Sequence, residues 1–134
     1  FLRSFSTRQL FADSDAVDQE WLNTLVAGAS NTQTRHAVFS FLAGFWRQDY
    51  SKAIASIKQP TLVVVGETAS SISQAGKKES PDERLADYLA VLPQGRGIKI
   101  TGRNVPPYES PAEFVKAILV WRGSANAPFI DEVS

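Results

Sequence analysis

The sequence predicts an α/β protein built on a parallel β-α-β unit with helical cover. Three observations carry that reading. Thr61-Leu62-Val63-Val64-Val65 runs unbroken between Pro60 and Gly66. A strand with one wet face alternates apolar and polar residues, so an unbroken run suits a parallel strand covered on both faces. Ser80-Pro81-Asp82-Glu83 then reads as a helix start, with Ser as cap, Pro in the first helical position and Glu able to close a capping box. After the breakers Pro93, Gly95 and Gly97 comes a second β-prone stretch, Ile98-Lys99-Ile100. Strand, helix and strand in this order make a crossover, which is nearly always right-handed. A helical alternative for 61–65 is disfavoured, because consecutive valines lose rotamer freedom in a helix.

At 134 residues the chain has the length of one domain with room for a core. Fourteen basic residues balance fourteen acidic ones, so no general basic field draws in nucleic acid or anionic lipid. Cysteine is absent, which excludes disulfides, thiolate metal sites and a cysteine nucleophile. No apolar run approaches the roughly 20 residues that span a bilayer. Phe1-Leu2-Arg3-Ser4-Phe5 lacks the pattern of a signal peptide, and the expected location is the cytoplasm. The chain opens on Phe1 and holds no methionine, which fits either a first residue removed or not recorded, or a fragment of a longer protein.

Upstream of the first strand the pattern is helical. Residues 1–13 set Phe1, Leu2, Phe5, Leu10 and Phe11 among polar neighbours, which predicts a short helix or arm lying on apolar surface. Ser14 or Asp15 can cap a helix whose apolar face is Val17, Trp21, Leu22, Leu25 and Val26. A third helix is expected over 32–47, facing inward with Val38, Phe39, Leu42, Phe45 and Trp46. His36, the one histidine, lies near its start and reads as a surface or half-buried residue. Asp49 can cap a short helix over 50–57 that turns Ala53, Ile54 and Ile57 inward.

Between the strand and the helix at Pro81, residues 66–80 form a polar loop, long for a compact domain. It contains Ser70, Ser71 and Ser73. The helix after it carries Leu85, Tyr88, Leu89 and Leu92 on one face. Ser110-Pro111-Ala112-Glu113 repeats the capping pattern and opens a last helix with Phe114, Ile118, Leu119 and Trp121. Weak periodicity from Gly123 onward predicts a frayed tail. No glycine-rich phosphate loop is present, and no His, Cys or carboxylate pair has metal-ligand spacing. No cofactor or metal is expected.

The segments IKQPTLVVVGE and LADYLAVLPQGRGIKITGRNVPPYESPAEFVKAI, in this order, resemble the C-terminal part of an α/β-hydrolase-fold protein. The resemblance covers about residues 50–122. It implies a partial α/β-hydrolase-like fold, with 1–49 as a helical cap-like segment and 50–134 as the C-terminal β-α-β-α part. In that family the catalytic acid stands three residues after the glycine that ends the first of these strands, which here is Ala69. The catalytic histidine stands five residues before the glutamate ahead of the closing helix; counting from Glu109 gives Asn104. The nucleophile elbow Gly-x-Ser-x-Gly is not in this chain. Asn104 cannot accept a proton at neutral pH and so cannot serve as general base.

The resemblance therefore implies a non-catalytic binding or interaction protein, with a ligand over the carboxyl ends of the strands near Glu67, Ser70 and Asn104. The implied partners are an N-terminal half of the same fold, or a second copy joined through the strand edge or the helices near 38–46, and a small apolar ligand. The alternative is the C-terminal part of a serine esterase with an unusual arrangement. Its nucleophile would lie in an N-terminal half, with His36 as a possible base. A third reading is a structural subunit that completes another chain.

Overall fold

A computed structural model describes residues 1–44, 48–71 and 78–125, with the backbone alone for 38, 39, 41, 42 and 125. Its centre is a parallel two-stranded sheet, β1 (Thr61–Gly66) and β2 (Gly95–Ile100), in register from Thr61 opposite Gly95 to Gly66 opposite Ile100. The helix between them, Pro81–Val91, starts where the sequence predicts. Ser80 Oγ accepts from Glu83 N–H (3.2 Å), and the Glu83 carboxylate accepts from Ser80 N–H (2.7 Å). The α/β class and the parallel crossover are thus present.

In chain order the helices are α1 (Leu2–Phe5), α2 (Gln19–Ser30), α3 (Arg35–Leu42), α4 (Ser51–Ala55), α5 (Pro81–Val91), α6 (Pro106–Glu109) and α7 (Pro111–Ala125). α1 continues as a wider π-type coil over Ser6–Leu10. α5 and α7 take opposite faces of the sheet. Gly95 and Gly97 lie under α5, where an added Cβ would come within 2.7 Å of Leu92 or 2.6 Å of Leu85. Their neighbour Arg96 points the other way and donates to Ser124 Oγ of α7 (2.9 Å). Glycine at 95 and 97 lets the crossover helix seat close on the strand, while Arg96 ties the closing helix to the far face.

The cover is less complete than the apolar run suggests. Residues 61–64 are half-buried, and only Val65 and Gly66 of β1 are buried. The expectation of a strand sealed on both faces is not met: among the described residues β1 has a strand neighbour on one edge only, and 61–64 stay half-covered. Ile98 of β2 is 37% exposed. α4 is shorter than expected; Ala53 is exposed, Ile54 half-buried and Ile57 exposed. On α7, Phe114, Ile118 and Trp121 are half-buried, but Leu119 is 61% exposed, on the outer side with Val115.

Cap assignments also shift. Asp18, not Ser14 or Asp15, caps α2 by accepting from Trp21 N–H (2.8 Å), so Val17 lies before the helix and is buried. Asp13 caps the preceding turn through Asp15 N–H. Asp49 accepts from Ser51 N–H, but from one residue before the cap position of α4, which Tyr50 holds without a side-chain cap bond. The second capping box does not close, since the Glu113 carboxylate turns to Thr101 N–H (3.0 Å). Trp21, Leu22 and Leu25 are half-buried while Val26 is exposed, and α3 begins only at Arg35. The side chains of Val38, Phe39 and Leu42, residues Phe45, Trp46 and Ser73, and the tail from 126 lie outside what is described.

Candidate functional site

Two loops leave the carboxyl ends of the strands side by side. Gly66 ends β1 where an added Cβ would lie 2.2 Å from the Arg103 carbonyl oxygen and 2.6 Å from that of Gly102, so only glycine lets the second loop pass. Thr68 donates to the Gly102 carbonyl through both N–H and Oγ1, each at 3.1 Å. Gly102 has φ +129°, a conformation open to glycine, and it turns the chain so that Arg103 N–H meets Glu109 Oε2 (2.7 Å).

Ser70 and Asn104, both half-buried, meet at this junction. Asn104 Oδ1 accepts from Ser70 N–H (3.1 Å), and Asn104 Nδ2 donates to the Gln9 carbonyl (2.6 Å). Asn104 N–H donates to Leu10 O (2.8 Å). Arg103 donates through Nε to Ser70 Oγ (3.0 Å) and through Nη1 to Arg8 O (2.6 Å). The Glu109 carboxylate also accepts from Ala12 N–H. The first dozen residues are thereby laid across the ends of the strands. Ala69 is buried beside them. Glu67 stands apart: its side chain is exposed, and its N–H continues the ladder to Ile100 O (2.9 Å). The structure brings Ser70 and Asn104 together and leaves Glu67 outside their network.

Sequence reasoning did not single out Arg103, Glu109 as a carboxylate, or the arm at residues 8–12. The available signal was Gly102-Arg103-Asn104, a glycine followed by two strong side-chain hydrogen-bonding residues directly after a strand. Beside this junction lies an aromatic cluster. Phe11 is edge-on to Trp21 (centroids 5.1 Å apart) and to Tyr108 (5.9 Å). Trp21 Nε1 donates to the buried Ser6 Oγ (2.9 Å), and the Tyr108 hydroxyl donates to Asp18 (2.9 Å). The Trp21 N–H bond first, and the Tyr108 hydroxyl second, hold the Asp18 carboxyl below the usual aspartate range. Desolvation, followed by the Asp18 hydrogen bond and charge, pushes Tyr108 up. The backbone of Thr101 lowers Glu113 in the same way.

An open groove of about 460 Å³ runs along β1. β1 itself lines it, with Ile54, Tyr88 and Pro106 and the polar residues Arg84, Arg103 and Asn104 among its borders. Chemically the junction is a hydrogen-bonding clamp. Ser70 Oγ receives a guanidinium N–H, which does not draw off its proton, and His36 is exposed on α3. Among the described residues, no group of three or more His, Cys, Asp or Glu could hold a metal ion. No described helix is long and apolar enough to cross a membrane. Compared with family models, characterised proteins and solved structures, the chain matches none.

Proposed function

We propose that this chain is the C-terminal part of an α/β-hydrolase-like fold with a binding or interaction role and no hydrolase chemistry of its own. Residues 1–49 serve as a cap-like segment and 50–134 as the β-α-β-α part. One observation carries the reading: at the position where the resemblance expects histidine, both ends of the Asn104 amide are committed to Ser70 N–H and Gln9 O. An amide used this way supports architecture, because it offers donor and acceptor at once and titrates at neither. Ala69, at the expected acid position, is buried and brings no carboxylate. A triad needs nucleophile, proton shuttle and orienting acid, and none of these roles is filled by its residue.

In this reading the interaction partner is the N-terminal half of the same fold, and a small apolar ligand would lie in the groove beside Asn104. Glu67 and Ser70 would contribute at its rim through their loop. The test is hydrolysis of 4-nitrophenyl acetate by the full-length protein. The expected rate equals the buffer control. Turnover that follows the protein through purification and disappears in Ser70→Ala or His36→Ala would overturn the non-catalytic reading in favour of the esterase one.

A further inference from the structure

We infer that the junction of Arg103, Asn104 and Glu109 is a receptor for the carboxyl end of a helix, and that residues 2–12 of this chain are its resident ligand. The geometry of that segment sets its chemistry. Leu2–Phe5 and the wider coil over Ser6–Leu10 form one continuous run, which Phe11 ends in extended backbone at φ −96° and ψ 144°. A helix that stops leaves its last carbonyls without N–H partners from its own turns. Phe11 N–H takes the Ser6 carbonyl (3.0 Å). The carbonyls of Arg8, Gln9 and Leu10 are then met in sequence by Arg103 Nη1 (2.6 Å), Asn104 Nδ2 (2.6 Å) and Asn104 N–H (2.8 Å). Three consecutive acceptors thus meet donors on two consecutive residues. Just past the extended corner, Ala12 turns its N–H to the Glu109 carboxylate.

Charge and polarity match at each contact. Arg103 brings a cation to the negative end of the helix dipole, and the acceptor Glu109 faces an N–H. The receptor groups are aimed by their own loops: Glu109 Oε2 accepts from Arg103 N–H (2.7 Å), Arg103 Nε donates to Ser70 Oγ (3.0 Å), and Asn104 Oδ1 accepts from Ser70 N–H (3.1 Å). Phe11 is the anchor. It is 1% exposed, with Trp21 and Tyr108 edge-on to its ring. The Arg8 side chain is exposed, and the bonds from 8, 9, 10 and 12 to the receptor are all made by main-chain groups. The site therefore reads a backbone shape and one aromatic ring, and not the side chains at 8 and 9. Two bonds join the arm to the segment after it, Arg3 Nη1 to Val17 O (3.1 Å) and Trp21 Nε1 to Ser6 Oγ (2.9 Å), while the connecting residues 12–16 are exposed. The partner that this surface fits is a helix end followed by an aromatic residue, which the chain supplies to itself. The inference rests on the contacts of residues 8–12 and not on the hydrolase resemblance; ester turnover would overturn the non-catalytic reading and leave it intact.

The test uses the full chain with a protease recognition site inserted after Ser14, within the exposed turn. After cleavage the arm should stay bound through gel filtration or, if it is lost, the cooperative melt should return when the free peptide of residues 1–14 is added. A fluorescent form of that peptide should exchange into the cut chain with a saturable rise in anisotropy. It should bind the uncut chain more weakly by about tenfold or more, because the site there is already filled. Phe11→Ala in the peptide should weaken binding to the cut chain by about tenfold or more, as loss of a buried anchor does. Arg8→Ala and Gln9→Ala in the peptide should each bind within about twofold of the parent, since their carbonyls remain. These peptide variants leave the folded chain untouched, so they decide the matter whatever a receptor variant does to stability. An arm that neither stays nor returns, equal binding by cut and uncut chains, a Phe11→Ala peptide as tight as the parent, or a tenfold loss from Arg8→Ala or Gln9→Ala would overturn the proposal.

Discussion

Asn104 Oδ1 accepts the Ser70 N–H at 3.1 Å, so one side chain joins the loops that follow the two strands. Its amide nitrogen continues to the Gln9 carbonyl, which makes Asn104 the link among three segments far apart in sequence. Asn104→Leu should leave the Ser70 N–H and the Gln9 carbonyl without partners. The expected cost is about 1–3 kcal/mol, read by urea unfolding. Asn104→His should also destabilise, since an imidazole cannot reproduce both bonds in the amide's geometry, and it should bring no ester turnover. A stable Asn104→Leu variant would show that the junction is held by backbone contacts alone.

The two Ser-Pro helix starts should respond differently to alanine. Ser80→Ala breaks a closed capping box and is expected to cost about 0.5–2 kcal/mol. Ser110→Ala should cost less, because the Glu113 carboxylate is already bonded to Thr101 N–H. Glu113→Ala should therefore exceed Ser110→Ala in thermal melts. The reverse order would show that the box at α7 forms in solution.

Gly66→Ala should be among the most damaging single-methyl additions. The new Cβ meets backbone oxygens of Arg103 and Gly102, which cannot rotate aside as a side chain would. The expected loss is about 1–3 kcal/mol, typical of overpacking. A Gly28→Ala control, with nothing within 4 Å of the added Cβ, should be neutral or slightly stabilising in its helix. Equal effects at the two positions would contradict the close crossing of the 66 and 102–103 backbones.

Acid should weaken the junction between α2 and α6. Asp18, Asp49 and Glu113 all have carboxyls lowered by hydrogen bonds. A depressed folded-state pKa contributes stability that is present above the unfolded value, about 4, and lost as pH falls through the folded value. Tyr108 is raised, so its contribution is present below its ordinary pKa, about 10, and fades as pH rises through the higher folded value. Asp18→Asn should flatten the acid limb of the stability profile and lower the Tyr108 titration measured by ultraviolet absorbance. An unchanged tyrosine titration would mean that the Asp18–Tyr108 bond does not persist in solution.

The local elements were legible because short-range physics decides them. The valine run cannot relax in a helix, Ser80-Pro81-Asp82-Glu83 satisfies its own helix end, and Pro93 with Gly95 stops that helix. Parallel pairing followed, since a strand, a helix and a strand in close sequence leave little other choice. Ser70 and Asn104 could be placed at the strand ends by position along the chain. The arm at residues 8–12 could not, because its bonds to Arg103, Asn104 and Glu109 join backbone carbonyls and amides that every residue carries and that leave no mark in sequence. For the same reason, Ser110-Pro111-Ala112-Glu113 looks like a capping box while Glu113 bonds elsewhere: a carboxylate goes to the nearest unpaired donor, and only the folded chain places Thr101 N–H there. Sequence determined which segments are strands and helices through local torsional and capping preferences. Tertiary structure decided which side chains meet, and that β1, uncharged along its length, has a strand neighbour on one edge only among the described residues.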